Sequence, residues 1–247
     1  MENNNPNYVY DNVVQLDDAA EASRKYLAKV FTWMFAAMAI SAVFAYEFYA
    51  TPSLLGLIVA PTAGGGLGFT GLGYLAIFAP VAFSFVISFG FNRIPYPVLL
   101  FLFITYAVTI GISLSIVGLI YTASSIFGVF ISSAVVFGIM AIAGYTTSMD
   151  LTRFGSILIM IFFGVFAVAL VNFFLGSAQL QYIISFAFVA IMIGLTAYYM
   201  QMLKRIGAGI EYGTDDSKKL VLIGAFVLYT TFVNLFTSML RIFGGRK

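Results

Sequence analysis

Polar side chains set inside long apolar stretches are the residues through which this chain could do chemistry. Asn172 lies in one such stretch, Thr196, Tyr198, Tyr199 and Gln201 in the next, and Thr230, Thr231, Asn234 and Ser238 in the last. Asn234, Ser238 and Arg241 follow i, i+4, i+7 spacing, which places them on one helix face. Hydroxyls and amides donate and accept hydrogen bonds but do not titrate near neutral pH. Their first reading is therefore hydrogen bonding between packed helices. The ionisable residues stay at the ends of these stretches: Glu47 closes the first and Arg93 the second. Cysteine and histidine are absent. A divalent cation wants several oxygens with carboxylates among them, and nucleophilic catalysis wants a base beside the nucleophile. Neither set of parts is present, so no catalytic residue, metal site or cofactor is expected and the chain does not read as an enzyme.

The elements that must hold these residues follow from composition. Of 247 residues, 62% are hydrophobic and 9% charged, whereas a soluble domain has about 45–50% apolar and about 25% charged residues. Lipid must solvate most of that surface. Charge-free runs count the spans: 45 residues between Glu47 and Arg93, 56 between Arg93 and Asp150, 50 between Arg153 and Lys204, and 21 between Lys219 and Arg241. At about 20 residues per spanning helix, and allowing for a Gly/Pro-rich loop at Thr51–Gly71, seven spans are predicted. They fall near 29–48, 72–92, 97–118, 124–145, 154–175, 180–202 and 219–242. Stretches such as Val98–Val108 are apolar on every face, which rules out the alternating strands of a β-barrel. The fold class is an all-α membrane protein.

Lys and Arg set the expected orientation. Nine of them flank the N-terminal side of the first span and the second-to-third, fourth-to-fifth and sixth-to-seventh connections, and the other three connections have none. By the positive-inside rule the N-terminus and the charged connections lie in the cytoplasm. Arg241, Arg246 and Lys247 depart from this pattern, leaving the seventh segment either a full crossing against these charges or a re-entrant helix. Residues 1–26 are polar and read as a cytoplasmic tail without a cleavable signal peptide, with a helix from Asp17 leading into the span; 27–247 form the transmembrane domain. The net charge of +2 implies a lipid bilayer and no nucleic acid as partner.

Three further features carry less. Gly66, Gly68 and Gly71 have the spacing of a dinucleotide fingerprint. That motif works only between a strand and a helix of a βαβ unit, so a flexible outer loop is the expectation. Pro80 falls inside the second span, where a neighbour must satisfy the carbonyl it frees; it reads as a packing kink, or as a hinge or cavity wall. Ser84/Ser88 and Gly111/Ser115 have the four-residue spacing that lets helices approach closely.

Three segments together carry a family resemblance. The first runs from Phe137-Gly138 through Gly144-Tyr145-Thr146-Thr147 to Asp150-Leu151 and Phe154-Gly155. The second is Ala197-Tyr198-Tyr199-Met200-Gln201. The third is Leu228-Tyr229-Thr230-Thr231-Phe232-Val233-Asn234-Leu235-Phe236, followed by Leu240-Arg241-Ile242-Phe243-Gly244. In order and spacing they resemble the Bax inhibitor 1, or YccA-like, family over roughly residues 23–245. The resemblance implies seven helices with the seventh central and wrapped by the other six. It also implies a Ca²⁺-leak or cell-death-suppressing role, and in bacteria a membrane-anchored ATP-dependent protease as partner. The family's sensor is a pair of membrane aspartates sharing a proton near an arginine. Arg93 matches that arginine and Asn172 a fifth-span asparagine, while Tyr199 and Thr231 stand at the two aspartate positions. With Asn234, these residues form the expected latch or pore lining.

The reading is then a Bax inhibitor 1/YccA-like regulatory protein of a bacterial inner membrane whose sensor carboxylates are replaced. The alternative is a Ca²⁺-leak channel or a transporter of a small neutral solute. A transporter would show paired half-repeats with broken helices, and none is visible.

Overall fold

The computed structural model describes residues 6–62, 66–210 and 214–247, with side chains from residue 18 onward. Among them are eight helices: α1 (Pro6–Ala50), α2 (Pro52–Ile58), α3 (Gly71–Gly90), α4 (Tyr96–Ile120), α5 (Ala123–Thr146), α6 (Thr152–Leu175), α7 (Ala178–Ala208) and α8 (Asp215–Phe243). All but α2 are long and apolar enough to cross a bilayer. The protein is thus an all-α membrane protein with the seven predicted spans. The expected helix leading into the first span is a direct extension of it, since α1 is unbroken.

The ends of these helices follow local rules. Thr122, Ser177 and Thr214 cap α5, α7 and α8 by accepting from the backbone N–H three residues on, which satisfies one of the otherwise unpaired donors of the first turn. Gly176 closes α6 with a φ of 66°, the left-handed conformation that glycine adopts without a Cβ penalty.

Segment 51–70 departs from the expected flexible loop. It holds α2 and an antiparallel hairpin of β1 (Val59–Pro61) and β2 (Leu67–Phe69), paired Val59 to Phe69, Ala60 to Gly68 and Pro61 to Leu67. Thr70 ties the hairpin to the next span: its backbone N–H donates to Ile58 O, its hydroxyl to Leu57 O, and its Oγ1 accepts from Gly73 N. Loop composition concealed a unit built on side-chain capping. Residues 63–65 of that expectation lie outside the described residues.

Helix α8 is the most buried span and packs on α7, α1, α5 and α4. The expected wrapping by six helices is uneven. Helix α3 leans on α4 and α6 leans on α7, rather than on α8 or on each other. Helix α8 is also one uninterrupted helix between the two faces of the bundle. At its start, Leu220 O accepts from Tyr26 Oη, and Lys218 Nζ lies 5.7 Å from the ring of Tyr96. At its end, Thr122 N donates to Gly245 O, Lys247 N to Ile120 O, and Lys247 Nζ to Gly118 O and Tyr49 Oη. The seventh segment is a crossing helix, and its basic tail is bound to the ends of α1 and α4. One face therefore gathers the α3–α4, α5–α6 and α7–α8 connections, here called the basic face. The far face gathers the other connections and the C-terminus.

Close approach is concentrated at glycines. A Cβ on Gly144 would lie 2.1 Å from Ala197 O, and one on Gly111 2.6 Å from Ser41 O. The backbones of α5 and α7, and of α1 and α4, thus meet where only hydrogen fits. The small-residue reading holds for Gly111, whereas Ser84 and Ser88 line a cavity instead.

Candidate functional site

Because α3 and α6 stand off from α8, a cavity of about 730 Å³ lies between α3, α4, α6, α7 and α8. Its walls are largely apolar, with Phe85 and Phe89 from α3 and Phe162, Phe163 and Phe166 from α6. Pro80 sits in the α3 wall and is buried. It has no N–H for Ala76 O, and Ser113 of α4 replaces the missing donor: its Oγ lies 2.5 Å from Ala76 O and 2.9 Å from Thr109 O. The neighbouring helix thus satisfies the carbonyl that the proline frees, and α3 runs through Pro80 unbroken.

Three of the five expected latch residues, Tyr199, Thr231 and Asn234, line this cavity. Helices α7 and α8 are antiparallel, and side chains tilt toward the N-terminus of their own helix, so Tyr199 and Thr231 lean toward each other's level. Counted from the α7–α8 connection, Tyr199 is about 14 Å up its helix and Thr231 about 24 Å. They make no hydrogen bond to one another. Thr231 Oγ1 instead donates to Val227 O at 2.8 Å, within its own helix. Beside them Tyr106 Oη and Thr230 Oγ1 pair at 3.0 Å, and Tyr229 Oη bonds Ser41 Oγ, which also reaches Ala107 O. The rings of Tyr106, Phe226 and Tyr229 pack edge to face. No Asp or Glu lines the cavity, and no group of three or more His, Cys, Asp or Glu among the described residues could hold a metal ion.

Arg93 and Asn172 lie elsewhere. Arg93 is exposed in the α3–α4 turn on the basic face, where a cation meets water and headgroups, and has no salt-bridge partner among the described residues. Asn172 is buried at the far-face end of α6. Its Nδ2 donates to Ser177 O at 3.1 Å and to Gln181 Oε1 at 3.4 Å, while Asn172 Oδ1 and Gln181 Nε2 are buried without a partner in the chain. Gln181 lines the far-face end of the cavity, as does Arg241. Sequence reading placed Arg241 on one helix face with Asn234 and Ser238 and noted its breach of the charge pattern, but did not count it among the latch residues, and passed over Gln181.

A second polar cluster joins the first and second motif segments. On the basic face Gln201 accepts from Leu151 N at 2.9 Å and donates to Met149 O at 2.7 Å. Arg205 forms an ion pair with Asp150 at 2.9 Å and donates to Thr152 Oγ1, and Lys204 donates to Tyr145 O. The hydroxyl and N–H of Thr152, and then Arg205, hold the Asp150 carboxyl down to about 2. The α5–α6 connection is thereby clamped to α7, and Gly155 lies under the ring of Tyr198. None of these was among the expected latch residues, although Tyr198 and Gln201 stood among the polar side chains singled out at the start. The signal was the joint presence of the 144–155 and 197–201 segments, whose contact only the fold reveals.

The chain is similar to known proteins over most of its length. Residues 23–247 match the family model described as inhibitor of apoptosis-promoting Bax1. The inner membrane protein YbhL of Escherichia coli K12 is 35% identical over 225 residues, covering 90% of this chain and 92% of its own. A protein of Borreliella burgdorferi is 34% identical over 90% of this chain and 93% of its own, and RP147 of Rickettsia prowazekii is 34% identical over 92% of each. The match over residues 23–247 and these relatives lead to one assignment: the chain belongs to the Bax inhibitor 1 family.

Proposed function

We propose that this protein is a bacterial inner-membrane regulator in which Tyr199 and Thr231 stand in place of the family's di-aspartate Ca²⁺/pH sensor. It sits with its N-terminus and basic face in the cytoplasm, as Lys/Arg placement favours. YbhL, its relative, is named as an inner membrane protein. The observation that carries the reading is a cavity holding Tyr199, Thr231 and Asn234 with no carboxylate in its walls. A pair of close carboxylates raises one pKa and holds a proton near neutrality. Tyrosine titrates near about 10 in water and threonine not at all. The latch here is neutral, built from hydroxyls, and neither attracts Ca²⁺ nor responds to pH. Arg93 acts at the headgroup level and Asn172 holds the α6–α7 turn. Regulation then runs through a protein partner, for which the family implies a membrane-anchored ATP-dependent protease.

Reconstituted into liposomes loaded with a Ca²⁺ dye, the protein gives no Ca²⁺ flux above that of empty vesicles, and the signal is unchanged between pH 6 and pH 8. Tyr199→Asp combined with Thr231→Asp introduces pH-dependent flux. A pH-dependent leak through the unsubstituted chain would overturn the reading. The cavity itself favours a second reading, a passage for a small neutral solute, because Tyr199, Asn234 and Ser88 face it without a side-chain hydrogen bond. Swelling of the same vesicles in glycerol separates the two.

A further inference from the structure

The polar groups of the cavity divide by height. Along its middle most hydroxyls are already engaged: Thr231 with Val227 O, Thr237 with Val233 O, Thr230 with Tyr106, Ser113 with Ala76 O and Ser84 with Val81 O. Satisfied in this way, they present a largely apolar surface to an occupant. At the far-face end the balance reverses. Arg241, two residues from the end of α8, keeps an exposed side chain, lines the cavity and has no ion pair among the described residues. Gln181, three residues into α7, brings the buried amide Nε2 that lacks an acceptor. Two donors, with no Asp or Glu among the residues that line the cavity, therefore converge at the mouth of an apolar chamber.

We propose that this cavity binds a single-chain anionic amphiphile of the fatty-acid class, its carboxylate at Arg241 and Gln181 and its acyl chain running along α8 between α3 and α6. The dimensions fit. The volume of about 730 Å³ lies within the ~300–1,000 Å³ of ligand pockets. From Phe226 to Arg241 the wall extends about 23 Å at 1.5 Å per residue, the reach of one long acyl chain. Access is lateral: α3 packs mainly on α4 and α6 on α7 rather than on each other, and near the far face the Phe78–Phe173 ring contact bridges them, with centroids 5.3 Å apart. Arginine suits the head because its guanidinium binds a carboxylate bidentately. An occupant would fill the space between Tyr199 and Asn234 and so obstruct any solute path.

The test uses the full chain in phosphatidylcholine vesicles at alkaline pH, with stearic acid bearing a nitroxide near its methyl end. Its methyl ester and a nitroxide phosphatidylglycerol are the comparison probes. Electron spin resonance reads the motionally restricted fraction of each. The expected result is a restricted fraction for stearate well above that of the ester. Arg241→Gln should lower the relative affinity about fivefold, the scale of one partly exposed ion pair. Ala169→Phe narrows the cavity from the α6 wall while leaving Arg241 in place, and should abolish the excess as well. Circular dichroism and gel filtration verify that both variants keep the fold. An Arg241-dependent excess that survives Ala169→Phe would be surface attraction to a cation and would overturn the proposal. An equal excess for phosphatidylglycerol would overturn its single-chain assignment, and equal fractions for stearate and ester would overturn it outright. None of these readouts involves Ca²⁺, so failure here and failure of the neutral-latch reading are distinguishable.

Discussion

At the basic-face end of α7 stands Gln201, and near the far-face end of the same helix stands Gln181. Gln201 uses both ends of its amide on the backbone of the α5–α6 connection. Gln181 uses only its oxygen, on Asn172, and leaves its nitrogen buried and unpaired. Around Gln201 the helices meet backbone to backbone at Gly144 and Ala197, and an Arg205–Asp150 ion pair and a Lys204 hydrogen bond close the connection. Around Gln181 there is a cavity and an unpaired arginine. A satisfied amide rigidifies, whereas an unsatisfied one in a low-dielectric setting is costly and persists where something else uses it. The basic-face end is built for fixed geometry, the far-face end for contact with an occupant.

The harshest way to break that contrast is to force the tight end apart. Gly144→Ala puts a methyl 2.1 Å from the carbonyl oxygen of Ala197, and backbone cannot yield as a side-chain tip can. The expected cost is about 3 kcal/mol, at the upper end of overpacking effects, read as a fall in the thermal midpoint in detergent and a lower yield of monodisperse protein. Gly164 on α6, where an added methyl would meet nothing within 4 Å, is the control. Gly164→Ala should leave stability unchanged or raise it by about 0.5–1 kcal/mol. Equal effects at the two sites would mean that the α5–α7 contact is not tight.

Exchanging each glutamine for leucine compares the two ends directly. Gln201→Leu strands Leu151 N and Met149 O, and the penalty expected for a lost pair of partly buried hydrogen bonds is about 2 kcal/mol. Gln181→Leu removes one weak 3.4 Å hydrogen bond together with a donor that had no partner, so it should lie within about 0.5 kcal/mol of neutral or be mildly stabilising. The order of the two thermal midpoints is the measurement. A larger loss for Gln181→Leu would show that its amide is satisfied and would remove the far-face contrast.

This difference also explains which parts could be read from the sequence. The seven spans were legible because charge is excluded from lipid and leaves runs whose lengths count helices. The expected lining was partly legible: Tyr199, Thr231 and Asn234 share one cavity, because helical spacing and motif order fix which faces they occupy. Arg93 and Asn172, matched to family positions by resemblance, sit at opposite faces of the bundle and do not line the cavity. The clamp was not legible as a structure, since Gln201 and Leu151 are 50 residues apart and nothing local links them. Nor was the hairpin at 59–69, whose order depends on the Thr70 cap. The cavity was invisible because it arises from contacts that α3 and α6 do not make, which no periodicity records.

The smallest expected effect tests whether the ion pair or the amide holds the clamp. Asp150 is fully exposed, and its carboxyl is held down to about 2 by the Thr152 hydroxyl and N–H and then by Arg205. Its folded pKa lies below the ordinary carboxylate value of about 3.9. The sign therefore follows from linkage: the unfolded chain binds the proton more readily, and Asp150 contributes stability above about pH 4. That contribution is lost as pH falls from about 4 toward 2, and is constant between pH 6 and 8. Because solvent screens an exposed pair, Asp150→Asn should produce only a slight fall in thermal midpoint at pH 7 and a smaller one at pH 2.5. It should be clearly smaller than the fall for Gln201→Leu at either pH. Trp33, the sole tryptophan, packs on Phe103 in the α1–α4 interface and reports unfolding through its fluorescence across that range. If Asp150→Asn were as damaging as Gln201→Leu, the charge pair rather than the amide would be the clamp. The basic-face end would then depend on salt and pH.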